Sequence, residues 1–315
     1  MRLGIDMMGG DFAPESTIQG AVLARKELPG DIELLLVGNQ GKYQEIINRE
    51  GYDTKGLTCI HTSQRIEMGE NPVRAFSAKA NSSMRLGLKM LKNEEIDGFA
   101  SAGNTGAMLL GASRIVNAIP GVIRPCITAG IPNEFDTYTI ILDVGLNPDS
   151  RPDVLYQYGI MGSIYAELVY NIENPRVGLL NIGAEEEKGN LLTRATYQIM
   201  KGTKDFNFIG NIEGTDLFSE NKADVVICDG FVGNVVIKEI EGFYKMLRNR
   251  NIRNDFFNRF NFENYGGTAI LGILKPVVIG HGISNGVAIK NMILHTRDVI
   301  ETNLTEKFKT YFNNE

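Results

Sequence analysis

Short β-branched runs alternate with longer helical stretches along almost the whole chain, and that alternation leaves few folds open. The runs are Arg2–Asp6, Glu33–Val37, Gly98–Ala100, Cys126–Ala129, Tyr138–Asp143, Arg176–Asn181, Phe206–Ile209, Asp224–Asp229 and Val277–Ile279. Helical patterns fill most of the gaps: Ser16–Glu27, Gly41–Glu50, Ala75–Lys92, Thr105–Asn117, Val154–Tyr170, Leu191–Lys201, Asn234–Arg248 and Asn285–Asn303. Strand–helix alternation predicts βαβ units, hence an α/β protein with a doubly wound, mostly parallel sheet covered on both faces. No internal repeat and no Pro/Ser-rich linker divides the 315 residues, so they read as one domain with room for two lobes. Residues 302–315 are polar and are expected to be a fraying helix end.

Five of the runs lead straight into loops rich in Gly, Asn, Asp, Ser or Thr. These are Ile5–Asp11, Ser101–Gly106, Leu142–Asn147, Leu180–Asn190 and Cys228–Asn234. In parallel sheets, ligands bind beyond the carboxyl ends of the strands. Backbone N–H groups at the following helix N-termini favour an anion, and glycine lets the backbone approach it. The five loops together predict a polar, anion-binding cleft.

Composition narrows the function further. The net charge is −6 and there is no long basic run, which argues against a nucleic-acid partner. No apolar run approaches the ~20 residues of a spanning helix. The N-terminus, Met1–Asp6, lacks the apolar stretch of a signal peptide, so a cytoplasmic location is expected. Cys59, Cys126 and Cys228 form no C-x-x-C pair, and reduced, mostly buried thiols are expected. The chain has neither a P-loop nor a dinucleotide fingerprint after its first strand. With only His61, His281 and His295, a histidine metal site has little to draw on. Asp143, Asp149 and Asp153 are better read as turn and cap residues than as metal ligands. No cofactor or metal is expected.

Gly282–Gly286 matches the G-x-S-x-G of a nucleophile elbow, but no Asp or Glu lies between Ser284 and His295 to complete a triad. Ser284 is therefore read as a helix cap. The segment 241–265 has another character. Lys245, Arg248, Arg250, Arg253 and Arg259 stand there among Phe243, Phe256, Phe257, Phe260 and Phe262, marking a candidate membrane or partner contact.

Taken in order, Asp6–Asp11, Ser101–Ala107, Leu179–Gly183, Glu187–Gly189, Gly210–Gly214, Cys228–Asn234, Tyr265–Gly267 and His281–Gly282 resemble the phosphate acyltransferase (PlsX) family of bacterial phospholipid synthesis. The resemblance covers almost the whole chain. It implies a Rossmann-like three-layer α/β/α fold of the isocitrate/isopropylmalate dehydrogenase type. It also implies transfer of a fatty acyl group from acyl carrier protein to orthophosphate, the acyl phosphate passing to glycerol-3-phosphate acyltransferase. A homodimer with weak peripheral contact at the inner face of the membrane is implied too. The alternative kept beside it is a phosphotransacetylase acting on short acyl-CoA. The family commonly carries a longer helical hairpin where this chain has 241–265.

On this reading Lys188 and Asn234 are the catalytic candidates. Lys188 neutralises phosphate or assists the departing thiolate, and Asn234 donates to the carbonyl oxygen. The substrate-binding candidates are Asp6, Gly9, Gly10 and Asp11; Ser101, Gly103, Asn104, Thr105 and Gly106; Asn181 and Gly183; Asp229 and Gly230; and His281.

Overall fold

A computed structural model describes residues 1–135, 137–219 and 222–313. The chain divides into two compact units, Met1–Ala118 with Phe262–Thr305, and Ile119–Asn261 with the residues from Glu306 onward.

The first unit holds β1 (Arg2–Asp6), β2 (Glu33–Gly38), β3 (Leu57–His61) and β4 (Gly98–Ser101). Across the sheet β3, β2, β1 and β4 are followed by the later strands β11 (Val277–Gly280) and β10 (Gly267–Leu271). All neighbours in this set run parallel except β10 on β11. The helices are α1 (Glu15–Arg25), α2 (Gln40–Glu50), α3 (Pro72–Ala78), α4 (Ser83–Lys92), α5 (Thr105–Gly111) and α10 (Gly286–Glu301). Helices α4 and α10 cover opposite faces. The Phe99 ring packs on Gly87 of α4, while its neighbour Gly98 packs on Thr296 and Ile300 of α10, and successive strand residues point to opposite sides. Buried on both faces, β1, β2, β4 and β11 are apolar runs rather than alternating patterns.

The second unit repeats the plan. Its strands are β5 (Cys126–Pro132), β6 (Tyr138–Leu142), β7 (Arg176–Leu180), β8 (Asn207–Ile212) and β9 (Val225–Ile227), in the order β5, β6, β9, β7, β8. Only β5 is antiparallel to its neighbour. Helix α6 (Pro152–Tyr170) starts on a proline and ends on left-handed Asn171, and its Gly162 lies against Leu142 and Val225. The others are α7 (Leu191–Met200), α8 (Gly230–Asn249) and a single turn α9 (Asp255–Asn258). The fold is α/β with mostly parallel sheets, as the alternation predicts. No helix among the described residues is long and apolar enough to cross a membrane.

Several elements differ from the sequence reading. The stretch 75–92 is two helices: Ser82 accepts from the Arg85 amide and starts α4 afresh, because an Asn-Ser-Ser cluster competes for backbone hydrogen bonds. Strand β3 was hidden because only Leu57 in it is buried, and β10 because it opens on glycine. The tail is a separate helix, α11 (Leu304–Phe312), whose Leu304, Phe308 and Phe312 are buried. Ser284 does not cap α10; Asn285 does, accepting from the Ala288 amide at 3.0 Å, while the Ser284 hydroxyl donates to the His281 carbonyl.

Candidate active site

In the first unit, three candidate loops follow the adjacent parallel strands β1, β4 and β11 and so leave the sheet at the same end. Asp6 ends β1 and is buried. Its carboxylate accepts from the Ser101 hydroxyl at 2.7 Å and the Met8 amide at 3.2 Å. Ser101 in turn accepts from the Gly103 amide at 3.0 Å. Burial pushes the Asp6 carboxyl above its ordinary value, and the Ser83 and Ser101 hydroxyls oppose that rise. A side chain at Gly9 would lie 2.7 Å from the Asp6 carboxylate and 2.8 Å from the Gly103 nitrogen, so only glycine lets the two loops meet. Asp11 is anchored to the third loop by its amide, which donates to the Gly282 carbonyl at 2.8 Å.

Gly9–Asp11 is not a helix N-terminus. Helix α1 begins at Glu15, and the Gly9 amide already donates to the Asp6 carbonyl. The Asn104–Gly106 loop does start a helix. Asn104 caps α5 through the Ala107 amide at 3.0 Å, and its amide group reaches back to the Met68 and Glu70 carbonyls. Thr105 and Gly106 occupy the first turn, where amides lack helical partners. The His281 ring stacks on Phe262 with centroids 4.8 Å apart.

In the second unit the candidate loops follow β6, β9 and β7, again adjacent and parallel. Asp143 organises the first. Fully buried, it accepts from the Ile127 and Leu146 amides at 3.2 Å and the Asn147 amide at 2.6 Å. Burial raises its pKa, and these amides pull it back. With its oxygens bonded to the backbone, Asp143 is a loop organiser, not an available cation ligand. Arg151 pairs with Asp153 at 2.9 Å, and among the described residues no group of acidic, His or Cys side chains is arranged to hold a metal.

Asp229 is the N-cap of α8, accepting from the Phe231 and Val232 amides at 3.0 and 2.9 Å. Asn234 therefore sits one turn into α8 and is no cap. Its amide donates to the Val144 carbonyl at 3.2 Å, leaving a second N–H and the amide oxygen. Gly230 donates to the Asn147 carbonyl at 2.8 Å. A side chain at Gly233 would overlap the Asp143 carbonyl, so close packing of α8 on the Asp143 loop requires glycine there.

Lys188 lies exposed in the loop after β7. Asn181 closes this loop: its oxygen accepts from the Ile182 amide at 2.9 Å and its nitrogen donates to the Lys188 carbonyl at 3.1 Å. Gly183 is buried against Glu185 and the Lys188 stem. Three glutamates precede Lys188, yet Glu186 pairs with Lys201 at 2.7 Å instead. That pairing holds the Glu186 carboxyl below its usual range. Lys188 forms no ion pair among the described residues.

Sequence reasoning missed two supports of these loops. Asn211 is buried in β8 and donates to the Glu185 carbonyl at 2.8 Å, fixing the Lys188 loop from a neighbouring strand. Asn147 joins Asp143, Tyr158 and the Pro125 carbonyl. The available signal for Asn211 was its place in the Gly210–Gly214 motif; the strand reading stopped at Ile209, whereas β8 runs on to Ile212. The 241–265 reading also changes. Phe256, Phe257 and Phe260 are half-buried and stack on one another and on Phe218. Arg259 covers Tyr138 and donates to the Thr137 carbonyl. The exposed apolar side chains there are Phe243, Met246 and Ile252.

A family model described as "Fatty acid synthesis protein" matches residues 1–307. A phosphate acyltransferase of Thermoanaerobacterium thermosaccharolyticum is 41% identical, over 96% of this chain and 93% of that protein. The chain belongs to the phosphate acyltransferase family. Phosphate acyltransferases of Dictyoglomus thermophilum and Bacillus cereus are each 38% identical, covering 98% and 95% of this chain and 96% and 94% of their own. As a phosphate acyltransferase family member, the chain is an enzyme of the acyltransferase class. A solved phosphotransacetylase from Streptococcus pyogenes superposes with a TM-score of 0.66 at 16% identity, over 95% of this chain and 94% of that one. A 4-hydroxythreonine-4-phosphate dehydrogenase from Klebsiella pneumoniae gives 0.58 at 12%, over 95% and 97%. These likenesses place the family's fold in the three-layer α/β class.

Proposed function

We propose that the acyl donor is the thioester of an acyl carrier protein, and that Lys188 and Asn234 carry the chemistry. The acyl group passes to orthophosphate, giving an acyl phosphate for phospholipid synthesis and the free carrier-protein thiol. The observation that carries the role of Lys188 is its state: an exposed cation, set in a loop tied by Asn181 and Asn211, with no protein anion paired to it among the described residues. Such a charge is ready for a dianion.

A phosphate oxygen attacks the thioester carbonyl carbon. The new C–O bond forms as the carbonyl π pair moves onto oxygen. That pair then returns, the C–S bond breaks, and the thiolate takes up a proton. Asn234 donates its remaining N–H to the developing oxyanion, and Lys188 offsets the charge of phosphate and of the departing sulfur. The Asn104–Gly106 and Asp6–Asp11 loops, with Ser101, Gly103 and His281, serve substrate binding in the first unit. Asn181, Gly183, Asp229 and Gly230 shape the loops that carry Lys188 and Asn234. No step needs a cofactor.

The test is thiol release from palmitoyl-carrier protein with and without orthophosphate. Wild type releases thiol only with phosphate, and Lys188→Ala loses about 100-fold or more in kcat, as when one preorganised charge stabiliser is removed. Release from a short acyl-CoA alone would move the chain to the phosphotransacetylase reading.

The protein acts as a homodimer, in the cytoplasm and peripherally on the inner membrane face. It hands its product to glycerol-3-phosphate acyltransferase. In support, α8 leaves Phe231, Val235, Phe243 and Met246 exposed along one long helix, surface that a second copy would cover near its start. At the far end Phe243, Met246 and Ile252 lie among Lys245, Arg248, Arg250 and Arg253, the chemistry of an anionic-lipid contact. Vesicle flotation should weaken in Phe243→Ser/Ile252→Ser; unchanged flotation would remove the membrane contact.

A further inference from the structure

The first unit carries a basic surface that the reaction leaves unassigned. Residues 71–93 contain Arg74, Lys79, Arg85, Lys89 and Lys92 and not one carboxylate, in a chain whose net charge is −6. The structure folds this stretch into α3 and α4; Arg85, Lys89 and Lys92 recur at i, i+4 and i+7 on one face of α4, and that face is tied to α3 and the turn after it, with Arg74 exposed on α3. Arg85 lies over the Phe76 ring and donates to the Phe76 carbonyl, and Lys89 reaches the Ala80 carbonyl at 3.4 Å. Arg74, Lys89 and Lys92 are exposed, as is Val73 beside them. Of the five, Lys79 is balanced, by Glu70 at 2.6 Å; Arg74, Arg85, Lys89 and Lys92 form no ion pair among the described residues.

This surface abuts the candidate substrate loop. A side chain at Gly106 would lie 2.6 Å from the ring of Pro72, the first residue of α3. The Asn104 amide also holds the Met68 and Glu70 carbonyls just ahead of α3 at 3.0 Å. A macromolecule seated on α3–α4 would thus present a tethered group to Asn104–Gly106. A free small substrate has no use for four unbalanced cations spread over two helices; a protein with a complementary acidic face has.

We infer that the α3–α4 surface of Arg74, Arg85, Lys89 and Lys92, with Val73 as its apolar contact, is where an acidic face of the acyl carrier protein docks. The inference rests on the donor assignment above and specifies where on this chain that donor is recognised. Charge complementarity of this kind sets encounter rate and affinity, and it weakens with salt.

The experiment titrates labelled acyl carrier protein onto the full chain by fluorescence anisotropy. It compares wild type with Arg74→Glu/Lys89→Glu and with a control pair, Lys26→Glu/Lys42→Glu. All four positions are exposed, so the fold should be unaffected, and matching melting curves check this. The expected result is about tenfold weaker binding in the first pair alone, with wild-type binding falling as salt rises. In kinetics, KM for palmitoyl-carrier protein rises by the same factor, while turnover of the neutral small thioester palmitoyl-pantetheine does not change. Equal affinity in wild type and the Arg74/Lys89 variant, or no binding by wild type, would overturn the inference. Failure of the donor assignment has a different signature: carrier protein binds but yields no phosphate-dependent thiol.

Discussion

Two buried aspartates end neighbouring plans in the two units, and they are used differently. Asp6 is a tie between loops: it bonds Ser101 of a different strand, and glycines bring the two backbones together. Asp143 is a backbone brace, accepting from the Leu146 and Asn147 amides of its own loop and from the Ile127 amide of β5, while Gly233 of α8 packs on its carbonyl. Both contrast with the loop 181–190. That loop has no buried carboxylate, and it exposes Ile182 at 79% beside exposed Lys188. The Asp6 and Asp143 loops are therefore held by buried polar groups. The loop bearing Lys188 is held instead by partly exposed Asn181 at its base, by Asn211 from the side, and by partly exposed Glu186, which bonds Gln198 of α7 and Lys201.

The sharpest way to break that contrast is to remove each support in turn. Asp143→Ala leaves the backbone amides of Ile127, Leu146 and Asn147 without their acceptor. Each buried unsatisfied donor costs about 1–3 kcal/mol, so the variant should lose at least about 3 kcal/mol in urea unfolding. Ile182→Ala, in the exposed loop, should stay within about 0.5 kcal/mol of wild type. Equal losses in the two would mean that the loops are not differently supported.

The same contrast explains what was legible in the sequence. The α/β class was readable because buried parallel strands are apolar runs and their helices are long. The loops were readable because Gly, Asn and Asp cluster at strand ends. Edge strand β3 was not, since only Leu57 of its residues is buried and no apolar pattern develops. The family resemblance located Lys188, but nothing local to it revealed that Glu186 turns to Lys201 rather than to its neighbour. Nor could composition separate Phe243 and Ile252, which face solvent, from Phe256 and Phe260, which stack inward. Aromatic-basic mixtures look alike until packing decides. Ser284 shows the same limit: three polar residues preceded α10, and which one caps it depends on the turn that His281 begins.

A smaller effect tests the support of Lys188 itself. Asn181 does not reach Lys188's charge; it bonds the Lys188 carbonyl and so positions the loop. Asn181→Ala should lower kcat by about tenfold through misplacement of the ammonium, with KM for phosphate changed less than kcat. The melting temperature should move little, because Asn181 is only half-buried. Asn181→Asp keeps an acceptor for the Ile182 amide but loses the donor to Lys188, so it should not restore the rate. A large fall in stability with kcat preserved would make Asn181 a structural residue only.

The smallest effect is a slope with pH, and it distinguishes a buried tie from an exposed one. Burial raises the folded-state pKa of Asp6 above 3.8, the ordinary value that the unfolded chain retains. Between those two values the folded state binds more protons than the unfolded state. Stability from this group therefore falls as pH rises through that window, and it levels off once Asp6 is ionised in both states. Asp6→Asn keeps one acceptor oxygen, for either the Ser101 hydroxyl or the Met8 amide, and cannot ionise; the bond it loses offsets the difference at every pH without giving it a slope. The stability of wild type minus that of Asp6→Asn should decline upward from pH 3.8 and then become flat. Urea melts of the two proteins at closely spaced pH values measure the difference directly, cancelling the titration of all other carboxyls. A difference that instead rises with pH would mean that Ser101, Ser83 and Met8 stabilise the charge by more than burial opposes it, and Asp6 would then be an ionic anchor for the first-unit loops.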